Sequence, residues 1–416
     1  MNVILSNVAK HHAYQTALAL QEIGLLKKFY TSFYALEKPP LSQKILRMAL
    51  PENLRKKVMN RKQEGLDESR ITSFFFPEIL ERVPLIPRLF GRYRIMHLKN
   101  SLFDRRVSVQ NLECDVFHGF EGCSLYSMRK AKERGAIIIL DEGTFHPTES
   151  QYWLKQGYED AKLPVPTFLQ KEDSAIRRKY LEFQEADFIF VASEKIKQDF
   201  IRYEKRSPDA IFVVPFGFDS ARFKPTPKHH NTFRVLFVGQ VGVGKGVLYL
   251  LEAFRRLRLP NMELVLIGNI QEGFEPILAK YAGMFRHYPS IAQHALVEEF
   301  NSAAVFVLPS LVESFGMVTC EAMACGIPVI VSENCGMQPR NGIDGFVVPA
   351  CDIKALKEKI LLLYENEELR QKMGESAAGY VKEFTWEHYR ARVQDAYSLI
   401  EEKHSVRRRQ VKPLAI

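Results

Sequence analysis

Eleven short apolar runs recur along this 416-residue chain, and several are continuous rather than alternating. They are "NVILS", "KKFYTSF", "DVFHGF", "AIIILDE", "DFIFVAS" and "IFVVPFG", then "RVLFVGQ", "ELVLIGN", "MFRHYPS", "VFVLPS" and "PVIVSE". Runs of Val, Ile, Leu and Phe without alternation belong to parallel strands covered on both faces. The stretches between them, such as "AYQTALALQEIGLL" and "GVLYLLEAFRRL", have helical spacing and supply the crossovers that parallel strands need. The expected class is therefore α/β and doubly wound.

The pattern stops once, at "RFKPTPKHHNTF", which is rich in Pro, Lys and His, and restarts with a strand at Arg234. We read residues 1–222 as one Rossmann-like half and 230–380 as a second. Residues 42–110 read as a mostly helical insertion in the first half. Residues 381–416 read as a helix crossing back to the first half, followed by a basic tail.

Composition narrows the setting. No run approaches the roughly 18 apolar residues of a membrane span, and the short apolar start "MNVILSNVAKHH" reads as a strand rather than a leader. The six cysteines form no C-x-x-C pair, so reduced thiols and a cytoplasmic location are expected. The formal charge is +9, and residues 41–110 carry fifteen Lys/Arg against seven acids, so nearly all of the excess lies there. Such a segment suits an anionic membrane surface, which would make the protein peripheral at the inner membrane face. The alternative is a solvated helical surface with no partner. Nucleic acid is not expected, because no reading-helix, zinc or RNA-binding motif is present.

The stretch "LPSLVESFGMVTCEAMACGIPVIVSENCG" from Leu308 to Gly336 places two acids, Glu313 and Glu321, around the start of one helix. Either Glu313 or Ser314 is expected to cap that helix. The amides of Phe315, Gly316 and Met317 would then point out of its positive end, which is a ready site for a diphosphate. Glu313 can accept from sugar hydroxyls, and Glu321 from the two hydroxyls of a ribose. The plain alternative is a capped surface helix.

This stretch resembles the donor-site signature of glycosyltransferase family 4, whose members are retaining, use nucleotide-sugars and have the GT-B fold. The segments "VVPFGFDSARFKP", "FRVLFVGQVGVGKGVLYLLEAF" and "GIDGFVVPACDIKALKEKI" resemble the same family. The resemblance implies two Rossmann-like domains facing across a cleft, with the donor on the C-terminal half and the acceptor on the N-terminal half. It implies transfer of a sugar from a nucleotide-diphosphate-sugar to a glycan or lipid-linked acceptor. No cofactor is expected, and no D-x-D motif is placed to hold a metal.

Within "GQVGVGKG" the resemblance makes Lys245 a partner of the leaving diphosphate, while Gln240 stands where the family usually has Arg. The same loop nearly spells a P-loop, but Gly246 replaces the Ser or Thr that would hold magnesium. In "CDVFHGFEG", His118 matches a family histidine close to the reacting sugar, so His118 and Glu313 are the catalytic candidates. In "LDEGTFHP", His146 is an acceptor-side candidate. The family's Gly-Gly loop is replaced by "SNVAKHHAYQ", where Lys10, His11 and His12 are acceptor-side candidates. Two other readings remain open: a nucleotide-sugar-binding protein of this fold without transferase activity, and a sugar-nucleotide epimerase or NTPase.

Overall fold

The computed structural model describes residues 1–10, 12–37, 55, 59–75, 91–170, 173–226 and 232–411. Two parallel sheets organise them. The first contains β1 (Val3–Asn7), β2 (Leu26–Thr31), β3 (Ile71–Ser73), β4 (Val116–Phe120), β5 (Ile137–Glu142), β6 (Phe188–Val191) and β7 (Ile211–Val213), in the order β3-β2-β1-β4-β5-β6-β7. The second contains β8 (Phe233–Val238), β9 (Met262–Ile267), β10 (Arg286–Tyr288), β11 (Val305–Leu308), β12 (Val329–Ser332) and β13 (Gly345–Val348), in the order β10-β9-β8-β11-β12-β13. Every residue of β1, β4, β5, β11 and β12 is buried. Helices cover both faces, which explains why these strands carry unbroken apolar runs.

Each sheet reverses its strand order once, between β1 and β4 and between β8 and β11. At such a reversal the neighbouring loops part and leave a crevice beyond the carboxyl ends of the strands. Within the stretch read as a helical insertion, Ile71–Ser73 instead forms the edge strand β3, paired to β2. It is only three residues long, too short for a hydrophobic pattern to reveal. The rest of that basic stretch is described only in part: residues 38–54, 56–58 and 76–90 lie outside the described residues.

Three features tie the lobes together. The chain leaves the first lobe through residues 214–222 and returns beside the same path, with Phe218 bridged to Thr385 and its amide donating to the Phe384 carbonyl at 3.1 Å. Gly217 is a requirement of that crossing, since a Cβ there would lie 2.7 Å from the Trp386 Cα. The last helix, Trp386–Val411, then packs on Ala13–Glu22 of the first lobe. Its Tyr389 and Thr16 hydroxyls meet at 2.7 Å, and Gln394 donates to Glu22 at 2.9 Å. Finally, the helix Pro147–Asp160 of the first lobe lies on the glycine-rich loop of the second. Gln271 donates to the Tyr158 hydroxyl at 2.7 Å, and the Tyr249 hydroxyl donates to Asp160 at 2.7 Å.

Candidate active site

On the second lobe the site is built from the loops that leave β8 and β11. The β8 loop folds into one 3₁₀ turn, Val243–Lys245, and Gly246 (φ 66°) swings the chain into the helix Val247–Leu257. The β11 loop lies directly on it: the amides of Leu311 and Val312 donate to the Gly244 carbonyl at 2.9 and 3.2 Å. A Cβ on Gly246 would overlap the Pro309 carbonyl, so no side chain fits there. That excludes the hydroxyl with which a P-loop holds magnesium, and the resemblance to a P-loop ends at this residue.

The helix that carries both acids runs Met317–Ala324. Its N-cap is Gly316, in the left-handed region at φ 84°, and no side chain caps it. The expectation that Glu313 or Ser314 would do so is corrected here. Glu313 turns instead to Lys245, with which it forms an ion pair, and its backbone pairs with Cys335. Gly316 is required twice over: its φ disfavours an L side chain, and a Cβ would come 2.9 Å from the Cys335 Sγ and 3.1 Å from the Glu313 Cγ. Among the described residues, the amides of Phe315, Gly316 and Met317 donate to no protein acceptor. The helix tip is therefore open, as the first four amides of a helix are unless something caps them.

By contrast, the helix Leu125–Lys132 beyond β4 is closed by two buried carboxylates. Glu182 accepts from the amides of Ser124 and Leu125 at 3.0 and 3.1 Å, and Asp104 from those of Tyr126 and Ser127 at 2.8 and 2.9 Å.

Glu321 sits one turn into the open-tipped helix. Burial pushes its carboxyl up to about 7, with Arg222 opposing the rise and Asp219 adding to it. Phe315 is buried, and its ring meets Phe216 of the lobe connector at 5.5 Å between centroids. Met317 is exposed at the tip, and Gln240 is exposed on the β8 loop. Ser314 is held from behind, since Gly336 approaches its carbonyl too closely for any Cβ.

On the first lobe, the sequence candidates part company. His118 has no exposed surface; its Nδ1 lies 2.8 Å from the Tyr397 hydroxyl and its Nε2 3.6 Å from Asp141 Oδ2. It sits mid-strand in β4, facing the last helix, so the expectation that it contacts the reacting sugar is corrected: it has no surface through which to do so. His146 is likewise buried. Its Nδ1 accepts from the Thr148 amide at 3.3 Å, capping the helix Pro147–Asp160, and its Nε2 meets Glu204 at 3.1 Å. That is a structural role, and the acceptor-side expectation for His146 is corrected too. Lys10 donates to the Asn60 carbonyl at 2.6 Å, and His11 lies outside the described residues.

His12 is the candidate that reaches the crevice. Its Nε2 lies 2.8 Å from Asp141 Oδ1, and its ring stacks on Phe216 at 4.1 Å. Burial alone would raise Asp141, but His12 and His118 hold it down at about 2, so it is a carboxylate. Phe216 thus touches His12 on one side and Phe315 on the other, joining the two strand-order reversals. Asp141 carried no motif in the sequence. Its position at the carboxyl end of a buried strand is the signal that marks it.

No group of three or more His, Cys, Asp or Glu that could hold a metal occurs among the described residues. Among them too, no helix is long and apolar enough to cross a membrane.

Two Rossmann-like lobes with facing crevices, an open helix tip and a lysine beside it define the GT-B class of fold. Comparison with known proteins agrees. Sucrose-phosphate synthase from Thermosynechococcus elongatus superposes with a TM-score of 0.60 at 18% identity, covering 97% of this chain and 100% of that one. Anabaena HepE in complex with UDP-glucose superposes at 0.61 and 12% identity, covering 96% and 99%.

Residues 219–379, the C-terminal lobe, match the family described as glycosyl transferases group 1. D-inositol 3-phosphate glycosyltransferase of Streptomyces griseus is 25% identical over 264 residues, 54% of this chain and 56% of that protein. The protein of the same name from an Arthrobacter species is 31% identical over 210 residues, 45% and 50% of the two chains. The chain thus spans about half the length of the curated relatives it matches.

Proposed function

We propose that this protein transfers a sugar from a nucleotide-diphosphate-sugar to a glycan or lipid-linked acceptor, with retention of configuration and without a metal. The observation that carries the reading is the Lys245–Glu313 pair set beside the open tip of Met317–Ala324, at the mouth of the crevice. An arriving diphosphate would be met by the Lys245 ammonium and by the amides of Phe315, Gly316 and Met317. The amides are already in place and Lys245 has only to exchange Glu313 for phosphate, so stabilising charge on the leaving group needs little reorganisation. Gln240 would add a neutral hydrogen bond, roughly half as strong as the charged one an arginine makes.

Once Lys245 turns to phosphate, Glu313 is free to accept from hydroxyls of the donor sugar, and Glu321 from those of the ribose. Retention follows the family resemblance: the acceptor attacks from the face the diphosphate leaves, and the leaving phosphate takes its proton. Approach of the lobes would exclude water from that step. The basic stretch 41–110 would bring the enzyme to an anionic membrane where lipid-linked acceptors lie.

The test is a thermal-shift screen against UDP-, GDP-, ADP- and dTDP-sugars, followed by assay of transfer with the donor that binds. A ligand that binds only the folded state raises its melting temperature. The expected result is stabilisation by one base class and donor-dependent transfer. Magnesium-dependent ATP hydrolysis, or epimerisation of the donor without transfer, would replace the proposal. Tight donor binding with no transfer to any acceptor would leave a binding protein instead.

A further inference from the structure

The exits of β1, β4 and β5 lie side by side at the crevice and bring His12, Glu121 and Gly143 together. A Cβ built on Gly143 would lie 3.6 Å from His12 Cε1, 3.7 Å from Glu121 Oε1 and 3.7 Å from Phe216 Cζ. Three side chains from different segments therefore ring one spot. Each is held from behind. The His12 Nε2 is engaged by Asp141 at 2.8 Å. Glu121 Oε2 is ion-paired to Lys179 and lies 2.8 Å from the Thr144 hydroxyl, which leaves Oε1 as the oxygen turned to Gly143.

Behind Glu121, Glu142 has no exposed surface, and its Oε2 has no hydrogen-bond partner. Burial and the neighbouring Glu121 charge push Glu142 well above the usual carboxylate range. Burial is the largest single influence on Glu121 and would raise it, but Lys179 together with hydrogen bonds from Glu142 and Thr144 holds it below the usual carboxylate value. The negative charge of this pair is therefore favoured on the half-open Glu121 rather than on the buried Glu142.

The geometry points to a binding site for the acceptor, formed by His12, Glu121 and the Phe216 ring over Gly143, that takes an uncharged polyhydroxyl end such as a neutral sugar. This rests on the transferase reading above and specifies its acceptor. Asp141 engages the His12 Nε2, which leaves Nδ1 as the ring's other polar atom. Glu121 Oε1 is an acceptor. Hydroxyl groups suit both, since they donate to the carboxylate and pair with a ring nitrogen, while the edge of the Phe216 ring adds an apolar contact at Cζ. A phosphate or carboxylate there would face Asp141 and Glu121, with the Lys179 ammonium already spoken for by two glutamates. Like charges at such distances are strongly disfavoured away from bulk water.

The test uses the full chain saturated with whichever nucleotide-sugar stabilises it, applied to an array of neutral, phosphorylated and carboxylated glycans. The expected result is binding confined to neutral glycans. Glu121→Gln should weaken it about tenfold, as loss of a charge-assisted hydrogen bond does. Gly143→Ala, whose backbone φ lies outside the left-handed region, should keep its melting temperature and donor affinity but lose glycan binding, because the methyl occupies the ringed spot. Binding to phosphorylated or carboxylated glycans alone, binding to none, or neutral-glycan binding unchanged in both variants would overturn the proposal. Failure of every nucleotide-sugar to stabilise the wild-type protein would instead overturn the transferase reading, so the two failures are told apart.

Discussion

Glu313 and Lys245 lie 68 residues apart in the chain and form one ion pair at the crevice. Because the pair is partly exposed, its worth to stability is small, within about 1 kcal/mol. Its proposed worth to transfer is larger, since both partners would face developing charge. Glu313→Ala should keep the melting temperature within a few degrees and lower kcat by about 10²–10³-fold, the usual cost of losing one preorganised contact to a transition state. A folded variant that transfers normally would remove Glu313 from the site.

Glu321 supplies a pH signature. Its carboxyl titrates near 4.5 in the unfolded chain and about 7 in the fold, so between those values the folded state holds a proton that the unfolded state has lost. Stability from this group is therefore full below about pH 4.5 and is lost as pH rises through about 7. Melting curves of the ligand-free protein from pH 5 to 8 should fall more steeply for wild type than for Glu321→Gln. Equal slopes would show that burial does not shift this group.

At the scale of elements, the packing of the β8 and β11 loops depends on a residue with no side chain. Gly246→Ser should destabilise the protein by at least about 1–3 kcal/mol from backbone strain alone, with more from overlap with the Pro309 carbonyl, read as a lower urea midpoint. It should gain no magnesium-dependent ATP hydrolysis, although it completes a P-loop on paper. The same element shows why a motif is an incomplete guide. "GKG" was legible as a departure from a P-loop, but only the approach of Pro309 gives the reason. The helix Met317–Ala324 was legible from its Gly and Pro punctuation, whereas its cap was not: a glutamate near a helix start is a cap by default, and the pull of Lys245 from a distant loop decides otherwise. His118 and His146 depart from expectation for a related cause: a histidine within or just after an apolar run looks the same in sequence whether its ring faces the crevice or packs among the helices behind the sheet.

For the whole molecule, the helix Pro147–Asp160 sets how the lobes meet. Gly157 lies so close to the second lobe that a Cβ would come 2.7 Å from Val243 Cγ1 and would overlap Leu311. Gly157→Leu should wedge this contact apart while each lobe keeps its fold. Small-angle scattering should then show a larger radius of gyration, and transfer should fall at least about tenfold, as misplacement of reacting groups by an ångström or so is costly. An unchanged radius with full transfer would mean that the contact does not set the crevice.

By itself the sequence determined most of the strands and helices, their parallel pairing into two doubly wound lobes, and the glycine-bearing loops beyond β8 and β11. These follow from local patterns: unbroken apolar runs, helical spacing, and glycines where the chain must turn. Tertiary structure alone decided which charged groups meet. Lys245 finds Glu313, Asp141 finds His12, Lys179 finds Glu121, and His118 turns away from the crevice, because the partners in each case come from strands or helices brought together only when the sheets form and the lobes face one another.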